Sequence, residues 1–223
     1  MSDGAWLLVV VDGPSEVRRD DGGRRDGVVV RLIAQIFGDE CAQNVTLMYW
    51  RHVRQRLSPL RRRRPQSMKG WAVQARYLSK LGNATGFGTV LLADNDNDSR
   101  QDRLGELRRG VAESDMTGRT AVGVARQMLE AWLLADPSLL ERPLPAGKTC
   151  EMLWGDKDDP ASNYPKHVLY RCVQEPRSWT LNEVIEHWQP SAAQAHSPSL
   201  RAFMEELDRL AGQYNHYHDP GRS

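Results

Sequence analysis

Between Cys41 and Ala93 the chain carries no aspartate and no glutamate. That stretch holds ten basic residues, so nothing within it can neutralise its charge of +10. Residues 1–40 carry −3 and residues 94–223 carry −6, leaving the whole chain at +1. A generally sticky cationic surface is thereby excluded, and one polyanion-binding face is the natural reading. Cysteine is scarce too. Cys41, Cys150 and Cys172 form no CxxC pair, which excludes the common zinc spacings. The odd count predicts plain buried thiols in a reducing, cytoplasmic compartment. Long apolar runs are missing. Ala5 to Val11 is too short to span a bilayer and lacks the basic flank and cleavage site of a signal peptide. No GxxxxGK[ST] loop occurs, which argues against P-loop ATP hydrolysis.

What is present centres on Thr89-Val90-Leu91-Leu92-Ala93-Asp94-Asn95-Asp96-Asn97-Asp98. A short apolar run reads as a buried strand, and it stops where carboxylates begin at alternate positions. Asp94, Asp96 and Asp98 therefore fall at a strand's carboxyl end or in the loop beyond, the edge where open α/β sheets bind ligands. Two like charges about 4 Å apart repel by about 4 kcal/mol at an effective dielectric of about 20. A hard divalent cation, Mg²⁺ or Mn²⁺, offsets that repulsion with oxygen ligands. A solvated Asp/Asn turn is the plainer alternative. A calcium loop fits less well, because Ser99 replaces its sharp-turn glycine and Gly105 its bidentate glutamate.

The same arrangement recurs near the start. Ala5 to Val11 reads as a buried strand running into Asp12-Gly13-Pro14-Ser15-Glu16. Gly and Pro end the strand, so Asp12 stands at its carboxyl end and Glu16 follows in the loop or first helical turn. Each acid alone could be a turn former or a helix-start acid. Residues 17–26 read as a charged, glycine-rich mobile loop. Helices are predicted over 28–37, stopped by Gly38, over 66–81, ended by Gly82, over 99–112, and over 128–136, closed by Pro137. Strands are predicted over 44–50 and 120–125. The alternation predicts a mostly parallel four-stranded sheet flanked by helices over residues 1–145. Short helices near 148–154, 164–174, 180–188 and 198–212 predict a helical extension over 146–213. A frayed tail over 214–223 is expected.

If the first and third strands are neighbours, Asp12, Glu16, Asp94 and Asp96 gather at one sheet edge as catalytic metal ligands, with Asp98 and Glu130 peripheral. Two ions about 4 Å apart can stabilise the attacking and leaving oxygens of a phosphodiester displacement. Seven arginines within residues 51–64 (Arg51, Arg54, Arg56, Arg61, Arg62, Arg63 and Arg64), with Lys69, could clamp a nucleic-acid backbone by forked phosphate contacts. A solvated loop is their alternative. Tyr49, Trp50 and Trp71 flank this segment and could stack on unpaired bases or be buried.

The stretch Val9-Val10-Val11-Asp12-Gly13-Pro14-Ser15-Glu16 resembles the first motif of Toprim domains, and Leu91-Leu92-Ala93-Asp94-Asn95-Asp96 resembles their DxD motif. More narrowly, the chain is similar to a family of uncharacterised bacterial Toprim-like proteins, distantly similar to overcoming-lysogenization-defect nucleases. Glu130-Ala131-Trp132-Leu133-Leu134-Ala135-Asp136, Pro165-Lys166 and Ser197-Pro198-Ser199 carry that narrower likeness. The resemblance implies a Rossmann-like Toprim fold and a divalent-metal nuclease acting on DNA or RNA. It also implies an ATPase partner and a setting in phage defence. One position departs: the family usually has Glu where this chain has Asp12, whose carboxylate sits one methylene nearer the backbone. That departure sustains an alternative, a non-catalytic nucleic-acid-binding or regulatory subunit of an ATPase. A receiver-type phosphoacceptor is a third reading, for which no lysine after a fifth strand can be placed. Glu130, in an apolar helix, is either a metal-site residue or an anchor for an arginine. Lys166 is either a phosphate contact or an ordinary exposed lysine.

Overall fold

The computed structural model describes residues 6–13, 18–19, 25–53, 70–95, 102–125, 129–139 and 165–218. Four strands form one parallel sheet flanked by helices: β1 (Leu7–Val11), β4 (Thr46–Tyr49), β5 (Gly88–Asp94) and β6 (Thr120–Ala125), in the order β4-β1-β5-β6. Between β1 and β4 in sequence, β2 (Arg18–Arg19) and β3 (Arg25–Asp26) form a separate antiparallel pair, with Arg18 opposite Asp26. Of the loop expected over 17–26, residues 18–19 and 25–26 are paired strands instead, and the rest lies outside the described residues. Arg25 fastens the pair: its backbone N–H donates to Gln43 Oε1 at 2.7 Å and its guanidinium donates to the Val45 carbonyl.

β1 and β5 are buried along nearly their whole length, as a parallel strand covered on both faces must be. Leu8 and Val10 of β1 and Leu91 and Ala93 of β5 join one apolar cluster with Leu107, Val111 and Val122. Two helices contribute to that cluster: α3 (Trp71–Thr85), through Ala75 and Leu78, and α4 (Arg103–Ala112), which starts where Asp102 accepts the Gly105 N–H at 2.9 Å. Two further helices, α1 (Val28–Phe37) and α2 (Asp39–Gln43), meet at Gly38, whose φ of 87° favours glycine and ends α1 at the predicted residue. Gly82 does not end α3. The helix runs three residues further, and position 82 calls for glycine because a Cβ there would meet Thr89 Oγ1 and lie 3.0 Å from Leu8 Cβ. The glycine is a close-approach residue rather than a stop.

By contact the chain divides into two compact units. The first comprises residues 1–93, 101–124 and 203–223, and the second comprises 94–100 and 125–202. In the second lie α5 (Leu129–Leu134), a 3₁₀ turn (Pro137–Leu139), α6 (Pro165–Leu169), a π-helical turn (Tyr170–Gln174), α7 (Glu175–Arg177), α8 (Leu181–His187) and α9 (Pro190–Ala193). α8 opens on a reciprocal cap between Thr180 and Glu183. Trp132 ties the layer together: its indole N–H donates to Ser199 Oγ at 2.8 Å, and its carbonyl accepts from the Trp188 indole at 3.1 Å.

The last helix, α10 (Pro198–His218), brings residues 203–218 into the first unit. There the Tyr214 ring stacks on Trp6, with centroids 5.6 Å apart, and Arg209 donates to the carbonyls of Thr117 and Thr120. The helix therefore continues through His218, beyond the start of the expected frayed tail. The expectation of plain thiols holds at Cys41, which is free and buried, and fails at Cys172, which is disulfide-bonded. Residues 148–154, including Cys150, lie outside the described residues. Among the described residues no helix is long and apolar enough to cross a membrane.

Candidate functional site

The sheet order makes β1 and β5 neighbours, in parallel register with Val10 opposite Leu91. The residues that follow Val11 and Ala93 therefore leave the same edge of the sheet. Asp12 comes directly after β1 and Asp94 closes β5, each half-buried. Both stand where apolar strand residues give way to a polar turn, as their sequence contexts predict. Glu16, Asp96 and Asp98 lie outside the described residues, as do Arg54, Arg56, Arg61, Arg62, Arg63, Arg64 and Lys69.

Within the second unit, Asp94 is held in place. Its Oδ1 accepts the backbone N–H of Leu129 at 3.1 Å, and the Asn95 N–H donates to the Ala125 carbonyl at 2.9 Å. The residue after Leu129 is Glu130, whose side chain is 15% exposed and lies 3.8 Å from Lys166 Nζ. Lys166 itself is 55% exposed, so its ammonium stays hydrated while one side faces Glu130. Two pairings thus involve α5: Asp94 accepts from Leu129, and Glu130 faces Lys166 on α6. Glu130 faces a lysine, where its anchor reading expected an arginine.

Asp136 lies elsewhere and does other work. It is fully buried and accepts two backbone N–H groups, Ser138 at 2.9 Å and Gln189 at 2.6 Å. The first bond is the helix-end turn that its place before Pro137 predicts. The second joins segments 53 residues apart and leaves no local signal in the sequence.

The aromatic residues around the basic segment separate into different roles. Trp50 is buried, and its indole N–H donates to the Leu92 carbonyl at 2.6 Å. Trp71 meets Trp50 edge-on at 4.8 Å and carries the Arg103 guanidinium over its ring at 4.6 Å. Tyr49 alone keeps exposed companions: Arg51 lies over its ring at 5.1 Å and His52 meets it edge-on at 5.6 Å.

Oxygen donors of this kind suit a hard cation such as Mg²⁺ or Mn²⁺ better than a thiophilic one. Among the described residues no group of three or more His, Cys, Asp or Glu could by itself hold a metal ion. No protein-family model, no curated protein and no solved structure matches the chain.

Proposed function

We propose that the chain is a divalent-metal-dependent nuclease of Toprim-like fold that hydrolyses phosphodiesters of DNA or RNA. The observation that carries this reading is the adjacency of β1 and β5, which sends Asp12 and Asp94 off one edge of a parallel sheet. Asp12 and Asp94 would hold the ion, with Glu16, Asp96 and Asp98, which follow them in sequence, as further carboxylate ligands. A bound Mg²⁺ or Mn²⁺ would supply an activated water and offset charge building on the phosphate.

The chain's own residues do the rest. The Leu129 N–H fixes the orientation of Asp94. Glu130 pairs with the Lys166 ammonium, whose exposed side can contact a phosphate oxygen as a point charge. The +10 segment draws the polyanion toward the protein. Two pieces of the narrower family likeness support the reading, since Glu130 pairs with Lys166 and Trp132 bonds to Ser199. A role in phage defence beside an ATPase, in the cytoplasm, belongs to the same proposal.

The test is cleavage of supercoiled plasmid, single-stranded DNA and RNA with Mg²⁺ or Mn²⁺, beside Asp94→Asn and an EDTA control. The reading expects metal-dependent cutting. It expects Asp94→Asn to lose more than the roughly 10–100-fold that removal of an outer-sphere partner costs. Cutting by Asp94→Asn at the wild-type rate would remove the site assignment. Salt-sensitive binding without turnover would establish instead the non-catalytic subunit that Asp12 in place of Glu also allows.

A further inference from the structure

Tyr49, Arg51 and His52 stand at the carboxyl end of β4, an outer strand in the described sheet order. β4 runs parallel to β1 with Tyr49 opposite Val11, so the cluster lies one strand away from the residue that precedes Asp12. Parallel neighbours are about 4.8 Å apart, less than the span of one nucleotide. Arg51 and His52 are exposed and Tyr49 is half-buried. The guanidinium lies against the tyrosine ring, 5.1 Å from its centroid, while His52 meets the ring at an interplanar angle of 84°. All three fall in the acid-free, +10 part of the chain.

A guanidinium stacked on a ring has one face covered. Its other face and its N–H fork are what an exposed arginine offers to solvent. An unpaired base can continue such a stack, and the phosphate beside it can take the fork. A base inside a duplex cannot, because its faces are already stacked. Trp50 and Trp71 are unsuited to the task, the first being buried and the second engaged by Trp50 and Arg103.

We infer that Tyr49 and Arg51, flanked by His52, form a stacking site for an unpaired base, so that single-stranded nucleic acid is the substrate class delivered to the acid-bearing edge. This rests on the nucleic-acid reading above and adds strandedness to it.

The experiment is fluorescence anisotropy on the full chain in EDTA. Its probes are labelled 12-mers of single-stranded DNA, single-stranded RNA, the matching DNA duplex and an abasic 12-mer. Base-bearing single strands should bind about tenfold more tightly than the abasic one, in line with one stacked base, and more tightly than the duplex. Tyr49→Ala should remove the base-dependent factor, while Tyr49→Phe keeps it. Arg51→Lys retains charge but not the planar stack, and should lose the factor with the salt slope unchanged. That exposed substitution serves if Tyr49→Ala fails to fold. A preference between the DNA and RNA strands would name the sugar and support the site. Equal binding of abasic and base-bearing strands, a duplex preference, or an Arg51→Lys protein that keeps the base factor would overturn it. Because EDTA removes catalysis, base-dependent binding without later cleavage would sink only the nuclease reading. Cleavage with base-independent binding would sink only this inference.

Discussion

Asp136 is a carboxylate with no exposed surface and two backbone partners, Ser138 close by in the chain and Gln189 remote in sequence. Asp136→Ala would strand the N–H groups of Ser138 and Gln189. Both bonds are part-buried, and an orphaned donor kept from water costs about 1–3 kcal/mol, so the variant should lose about 2 kcal/mol in urea denaturation. A loss under 1 kcal/mol would mean that water takes over those donors. Cys41 gives a pH-dependent prediction. Burial, aided by the charge of Glu40, pushes its thiol from 9.0 up to about 12. The folded value is the higher one, so the contribution to stability is full below pH 9 and is lost as pH rises toward about 12. Cys41 should resist thiolate-directed alkylation at pH 8 until urea unfolds the chain. Prompt labelling of Cys41 in the folded protein would contradict this. What the sequence disclosed at this scale was local. Asp12 and Asp94 could be placed because strand propensity ends at them. The Lys166 partner of Glu130 and the Gln189 partner of Asp136 arise from folding over distances that no spacing encodes.

Elements were more legible than the contacts between them. α1 and β6 have the predicted bounds because a glycine follows one and a short alternation of Thr and Val with small residues makes the other. Gly82 misled, since a helix-terminating residue and a close-approach residue have the same letter. Gly110 on α4 is a sharper case. A Cβ there would collide with the backbone of Ala72, including its carbonyl carbon at 2.7 Å. Alanine gains about 1 kcal/mol of helix propensity over glycine, but overpacking costs typically about 1–3 kcal/mol. Here the obstacle is backbone that cannot rotate away, so Gly110→Ala should lower thermal stability. A rise in melting temperature would show that α3 and α4 separate easily. At α8, Thr180→Ala should fray the first turn, seen as faster amide exchange at Glu183. The backbone bond to Thr180, and then its hydroxyl, hold the Glu183 carboxyl below its ordinary value. That cap therefore strengthens above the ordinary glutamate range and fades as pH falls through the lowered one. Unchanged exchange in Thr180→Ala would show that the cap is not what holds the turn.

For the whole molecule, composition carried further than any motif. The segregation of charge into stretches of −3, +10 and −6 requires no structure to be seen, and it predicts association that depends steeply on salt. Six to ten phosphate contacts lose roughly 10³–10⁵ in affinity between about 50 and 200 mM salt. A nearly salt-independent affinity would remove the clamp from the account. The parallel sheet was legible from the alternation of strands and helices, but the strand order was not. Only that order makes β1 and β5 neighbours and turns two acidic strand ends into one edge.

That edge is the centre of the account, and Mn²⁺ binding followed by electron paramagnetic resonance tests it most directly. Wild type would be titrated beside Asp12→Asn, Asp94→Asn and the double variant. One shared site predicts that each single substitution weakens Mn²⁺ about as much as both together. Losses that simply multiply, or wild-type affinity in either single variant, would mean that the two carboxylates do not act on one metal.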